Sequence, residues 1–203
     1  MDRFSFFFAF YGLILGLAAT EILSGFARFV RERATRKIDA QTALLALFSF
    51  LAICATWIDA SLSLSKVTLD FDGLWAPVLI ATCYYLAATV VFPTELDKIE
   101  STAEYYAERK AFVVIMLLAA ECLVNLTFLP IFEQNLRDRP AVFWLFELPL
   151  NVLIKGAFIA LLLVKSRRAN LLWLIALILL FAVPYWTWGA IAGAIQEHFG
   201  DSW

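Results

Sequence analysis

Six stretches of this chain stay apolar for about twenty residues apiece, close to the length a helix needs to cross a hydrocarbon slab of ~30 Å. They cover 5–29, 42–64, 74–92, 111–132, 141–164 and 171–195. Their hydrophobicity is continuous and does not alternate, which argues against a membrane β-barrel, where lipid-facing and lumen-facing residues take turns. In such a slab a helix satisfies all its own backbone N–H and C=O groups. The pattern predicts an all-α, polytopic membrane protein: a compact bundle of six transmembrane helices forming one integral membrane domain over 1–203.

Composition narrows the function classes. Of the 203 residues 63% are apolar and 17% charged, with a mean hydropathy of +0.80. A soluble domain carries roughly 45–50% apolar and 25% charged residues, so neither a water-soluble enzyme nor a disordered chain fits. The net charge of −2 gives no overall attraction for polyanions, and no nucleic-acid partner is expected.

Segment 5–29 is too long for the apolar region of a cleaved signal peptide and lacks a basic leader beyond Arg3, so it reads as a retained span. Orientation follows from the Lys and Arg residues of the short loops. Eleven of the sixteen fall on one side: Arg28, Arg31, Arg33, Arg36, Lys37, Lys98, Arg109, Lys110, Lys165, Arg167 and Arg168. Arg3, Lys66, Arg137 and Arg139 fall on the other, and Lys155 lies inside a span. This bias places both termini outside the cytoplasm. A multi-pass protein of the cell membrane is expected, with a bacterial inner membrane suiting such short loops.

The longest polar stretch, 93–110, holds two capping patterns, Thr94 with Asp97 and Ser101 with Glu104. Residues 101–110 read as a cytoplasmic helical extension of the fourth span. Its Glu104, Tyr105, Tyr106, Glu108 and Arg109 are expected to form a solvated or interfacial face. Cys54, Cys83 and Cys122 all fall within spans without CxxC spacing, so packing is their expected role.

A single histidine, His198, excludes bis-histidine haem ligation, an HExxH zinc site and an intramembrane Ser–His protease. No enzyme, cofactor or metal site is expected.

The informative residues are the ionisable and amide groups inside apolar spans, because each charge there costs ~2.5–3.5 kcal/mol on insertion scales and needs a partner or a role. Glu21 lies in the first span, and Glu121 with Asn125 one turn on lies in the fourth. Glu147, Asn151 and Lys155 follow at four-residue spacing in the fifth, a single stripe on one helical face. Counted from the basic side at ~1.5 Å per residue, Glu21, Glu121 and Lys155 lie at similar depth. A midplane Glu21–Lys155–Glu121 cluster is therefore expected, with Glu147 and Asn151 lining an outer approach. Two carboxylates facing one ammonium leave one suited to carry a proton. Asp59 is read as interfacial.

Gly12, Gly16, Thr20 and Ser24, and again Gly189 and Gly193, repeat at four-residue spacing, which lets helix backbones approach closely. Packing within the bundle is the first expectation, a homodimer through the Gly12/Gly16 or Gly189/Gly193 face the second. The first helix is expected inside the bundle. Pro77, Pro149 and Pro184 each free a carbonyl within a span, and such breaks can line a cavity or act as hinges. Residues 17–24 and 117–124 match at four of eight positions, glutamates included, and Tyr85 and Tyr185 share the same offset of one hundred. Together these suggest an inverted repeat of three plus three spans.

The expectation is a small transporter or channel-like protein whose site comprises Glu21, Glu121, Lys155, Asn125, Glu147 and Asn151. Its ligand would be a small ion, a proton or a lipid. The alternative is a non-enzymatic membrane sensor or complex subunit whose buried charges form a structural network.

Overall fold

The structure is a computed structural model that describes residues 3–31, 38–63, 71–94 and 101–199. Arg33, Arg36, Lys37, Lys66, Asp97 and Lys98 lie outside the described residues, as do the side chains of Tyr185 and His198 and the surroundings of Gly189. Among the described residues every regular element is helical. The elements are α1 (Arg3–Arg31), α2 (Ala40–Ser63), α3 (Phe71–Val91), α4 (Thr102–Thr127), α5 (Leu129–Asp138), α6 (Pro140–Val142), α7 (Leu148–Leu163) and α8 (Arg167–Phe199). A π-helical turn, Phe143–Glu147, joins α6 to α7.

Among the described residues five helical segments are long and apolar enough to cross a membrane: Phe7–Arg31, Ala40–Ser61, Thr102–Thr127, Pro140–Leu163 and Arg167–Pro184. The apolar part of α3, Trp75–Val91, is shorter. These helices are compatible with a multi-pass membrane protein.

Two prolines explain where the elements differ from the apolar runs. The run at 111–132 does not end as one helix. Pro130 has no N–H to continue the α4 ladder, so the chain turns at Phe128 and restarts as α5 with Pro130 in its first turn. Pro149 likewise cannot donate to the carbonyl four residues back. Just before it the chain widens by one residue per turn, with the Leu148 N–H donating to the Phe143 carbonyl five residues back.

The centre of the bundle belongs to α2, not to α1 as expected. Half of its apolar window is buried, and it packs against α1, α3, α4 and α8. Its buried positions are mostly small (Ala46, Ser49, Ala52, Ala55, Thr56 and Ala60), which admits neighbours on several sides. Phe48 fills the remaining space, meeting Phe158 of α7 and Phe181 of α8 edge-on at 5.5 and 5.6 Å. By contrast α1 is one-sided. Tyr11, Leu15, Ala18, Ile22 and Phe29 make its buried stripe against α3 and α2, while Leu13, Leu17, Thr20, Glu21 and Ser24 stay exposed.

Close approach is set at Gly25 of α1. A Cβ there would lie 2.0 Å from the Phe92 ring, which also packs on Phe26 and Phe29. Gly12 gives room to the Trp57 indole of α2, 3.2 Å from where its Cβ would stand, whereas Gly16 and Gly193 have nothing within 4 Å.

Polar side chains at one end of the bundle tie the helices together. The Ser101 hydroxyl caps α4 by accepting from the Ala103 N–H at 3.1 Å. Tyr105 and Tyr106 do not form the expected interfacial face. Tyr106 is buried, and the Tyr105 hydroxyl donates to the Val90 and Phe92 carbonyls at 2.8 and 3.2 Å, while Glu104, Glu108 and Arg109 remain exposed.

Candidate functional site

The geometry of α4 and α7 brings four of the six expected site residues together. The α7 stripe places Asn151 and Lys155 one turn apart, and the Lys155 Nζ donates to Asn151 Oδ1 at 3.2 Å and to the Asn151 carbonyl at 3.4 Å. Across the helix interface Nζ stands 3.9 Å from Glu121 Oε1 of α4, an ion pair at the long end of the range. One turn beyond Glu121, the Asn125 amide donates to Asn151 Oδ1 at 3.0 Å. The Asn151 amide donates back to the Glu147 carbonyl at 3.0 Å. Asn151 is thus the joint of the cluster, its side-chain oxygen accepting from both Asn125 and Lys155.

Burial is uneven. The Glu121 side chain is 13% exposed and that of Lys155 is 29% exposed. Lys155 reaches an open cleft of about 510 Å³ between α4, α5 and the start of α7. Leu126, Leu129, Phe132, Phe143, Leu148 and Val152 form most of its wall, and Asn125, Asn151 and Lys155 supply its polar groups. Such a concave apolar space with a few convergent polar groups has the general form of a small-molecule site.

Glu147 sits apart from this cleft, so the expected outer approach is not formed by it. The π-helical turn ends at Glu147, whose carboxylate is buried and faces α5. There the Asn135 amide donates to both of its oxygens at 3.0 and 3.2 Å, and Arg139 donates to Asn135 Oδ1 at 2.9 Å. This second polar group fastens α5 across the mouth of the bundle.

Glu21 does not join Lys155. It is exposed on the outer side of α1, which packs on α3 and α2. The buried stripe of α1 runs through Ala18 and Ile22, and Glu21 projects away from it. The matching octapeptides 17–24 and 117–124 therefore put their glutamates in opposite surroundings, one exposed and one largely enclosed.

The second carboxylate near the pair is Asp59 of α2, which sequence reasoning set aside as interfacial. It acts electrostatically on Glu121 and on the hydroxyls of Tyr84 and Tyr11. Tyr84, fully enclosed, shares a 2.9 Å hydrogen bond with Thr56. A signal for Asp59 existed. Both Asp59 and Glu121 lie about nineteen residues past the first residue of their helices, roughly 28 Å along each axis at ~1.5 Å per residue. The two helix starts are held level by the Asp39 N–H, which donates to Thr102 Oγ1 at 2.9 Å. Asn135 and Arg139 were missed because 133–140 reads as a loop. Pro130 in the first turn of a ten-residue amphipathic stretch, and Pro140 just beyond its end, were the available sign of α5.

The cysteines are free, and Cys122 lies on the cleft wall. Among the described residues no group of three His, Cys, Asp or Glu side chains is placed to hold a metal ion. Comparison of the chain with protein-family models, with curated proteins and with solved structures gives no match.

Proposed function

We propose that this chain is a small multi-pass membrane transporter, non-enzymatic, whose exchange site is the Glu121–Lys155 pair at the base of the α4–α5–α7 cleft. One observation carries this reading: the pair is not sealed. A purely structural ion pair inside an apolar bundle is best enclosed, because partial access adds nothing to helix packing. Here the Lys155 side chain opens onto about 510 Å³ of space. Intramembrane charges that face a cavity are the usual mark of a solute or proton path. The long 3.9 Å separation of the pair also suits a contact that is broken and remade as two bundle states exchange.

The reading includes six spans with both termini outside the cytoplasm, in a bacterial inner membrane. The 21 residues of α3 reach ~30 Å at 1.5 Å per residue, which supports counting it as a span. The excess of Lys and Arg near one end of the bundle supports the orientation. Liposomes loaded with a pH-sensitive dye and reconstituted with the full chain test the function. A proton gradient imposed with a panel of small organic solutes should collapse faster than in empty liposomes. Glu121→Gln should remove that difference while the purified variant keeps its helix content. A wild-type chain that moves neither proton nor solute sinks the reading.

A second reading, a subunit of a larger membrane complex, draws on Glu21. It stands exposed on α1 and makes no ion pair with any described residue. A carboxylate left facing lipid is costly, so a partner helix covering Thr20, Glu21 and Ser24 would remove that cost. Site-directed cross-linking from position 21 in native membranes tests it. Adducts with lipid alone would sink it.

A further inference from the structure

The chemistry of the cleft narrows the substrate class, an inference that rests on the transport reading above. Leu126, Leu129, Phe132 and Val152 offer an unbroken apolar wall, and among the described residues the only charge on the lining is the Lys155 ammonium. A wholly apolar occupant would gain nothing from the partly exposed ammonium, and a cation would be repelled by it. The ammonium is also under-coordinated. Its contacts at 3.2, 3.4 and 3.9 Å are all longer than the ~2.7–2.9 Å of a good charge-assisted hydrogen bond. An anionic headgroup entering from the cleft can approach it more closely than Glu121 does.

The response of Glu121 to such an anion is set by the groups around it. Lys155 faces it from α7, Asp59 of α2 acts on it electrostatically, and the field of Glu121 reaches Tyr84 of α3 as that of Asp59 reaches Tyr11 of α1. Among the described residues no cation other than Lys155 acts on Glu121. If an anion becomes the counter-ion of Lys155, the Glu121 carboxylate is left largely enclosed, under the field of Asp59 and without its paired cation. A proton taken from water onto that carboxylate restores the balance, so the site gains one anion and one proton and its net charge is unchanged.

We propose that the cleft binds a single-chain amphipathic anion, its tail against the α4–α5 wall and its headgroup on Lys155, and that Glu121 takes up one proton as the anion binds. The coupling is reciprocal: protons favour the anion as the anion favours the proton.

Decyl sulfate is a suitable probe, because its headgroup stays ionised and carries no proton of its own. The full chain in nanodiscs, weakly buffered with a pH indicator and titrated below micellar concentrations, should take up about one proton per chain on binding. Affinity measured by calorimetry against empty nanodiscs should fall about tenfold per pH unit as the medium becomes alkaline. Glu121→Gln should still bind decyl sulfate, but without proton uptake and without pH dependence. Lys155→Met should lose binding. Val152→Trp, which fills the cleft and leaves the pair intact, should weaken binding at least about tenfold, and it keeps the test valid should Lys155→Met misfold. Equal binding of decyl maltoside or decyltrimethylammonium overturns the anionic class. Saturable binding of decyl sulfate with no proton uptake overturns the coupling. Binding with proton uptake in nanodiscs but no flux in liposomes upholds this site while removing the transport reading.

Discussion

The two ends of the helical bundle are built differently. At the end where α1 finishes and α2 and α4 begin, nearly every helix terminus is tied to another. Arg28 of α1 donates to the Thr94 carbonyl after α3, and Tyr105 of α4 donates to the carbonyls of Val90 and Phe92. Asp39 caps α2 through the Gln41 N–H at 2.9 Å and pairs with Arg167 of α8 at 2.5 Å. Lys110 is buried and donates to the Val164 carbonyl at 2.6 Å and to Asn170 at 3.2 Å. Several of these acceptors are carbonyls of a helix end, which no residue of the same helix can satisfy, and a cation there also meets the negative end of the helix dipole. At the opposite end one short helix, α5, is held by the Asn135–Glu147 contact, and a cleft runs beneath it to Lys155. Cross-linked termini fix helix order at one end, while at the other the Asn135–Glu147 fastening of α5, among the described residues, leaves room for a ligand and for motion.

This contrast is most sensitive to Gly25, on the tied end. Gly25→Val drives a side chain into the Phe92 ring and should cost about 1–3 kcal/mol, read as a lowered thermal midpoint in detergent by tryptophan fluorescence. Next, Asp39→Ala removes the α2 cap and the Arg167 pair. Because the Arg167 side chain is 65% exposed, the pair itself counts for little, and the total should be about 1–2 kcal/mol. At the cleft end Asn135→Ala should cost about 1 kcal/mol overall. Its larger signature should be local: faster amide exchange across 129–138 with no change over 102–110. Equal acceleration at both places would show that the ends are not independent. The smallest effect is expected at Gly16→Ala, within about 0.5 kcal/mol of wild type, because nothing stands within 4 Å of the added methyl.

Much of the helical layout is legible from apolar run length alone, and the Ser101 cap could be read from its side chain and the glutamate three residues on. Within the site, the α7 stripe of Asn151 and Lys155 follows from four-residue spacing on a single helix. The pairing with Glu121 was within reach because two neighbouring antiparallel helices share a depth scale. Glu21 was misassigned for the same reason that Glu121 was found. Depth along a helix can be counted in sequence, but azimuth around the bundle depends on which neighbour each helix chooses. Asp59 was missed by that route, since the helix carrying Glu121 begins well before its apolar run does.

Everything carried by a period or a length was already written in the chain: helices of spanning size, the breaks at Pro130 and Pro149, and the stripe of Asn151 and Lys155. These are local properties, set by backbone hydrogen bonding within a few residues. Packing alone settled that α2 is central, that Glu21 is exposed, that Asp59 acts on Glu121, and that a cleft beneath α5 ends at Lys155. Those outcomes depend on side-chain contacts between helices distant in sequence. There a glycine such as Gly25, or a fit such as Phe48 between Phe158 and Phe181, selects one arrangement from several that the same apolar pattern would allow.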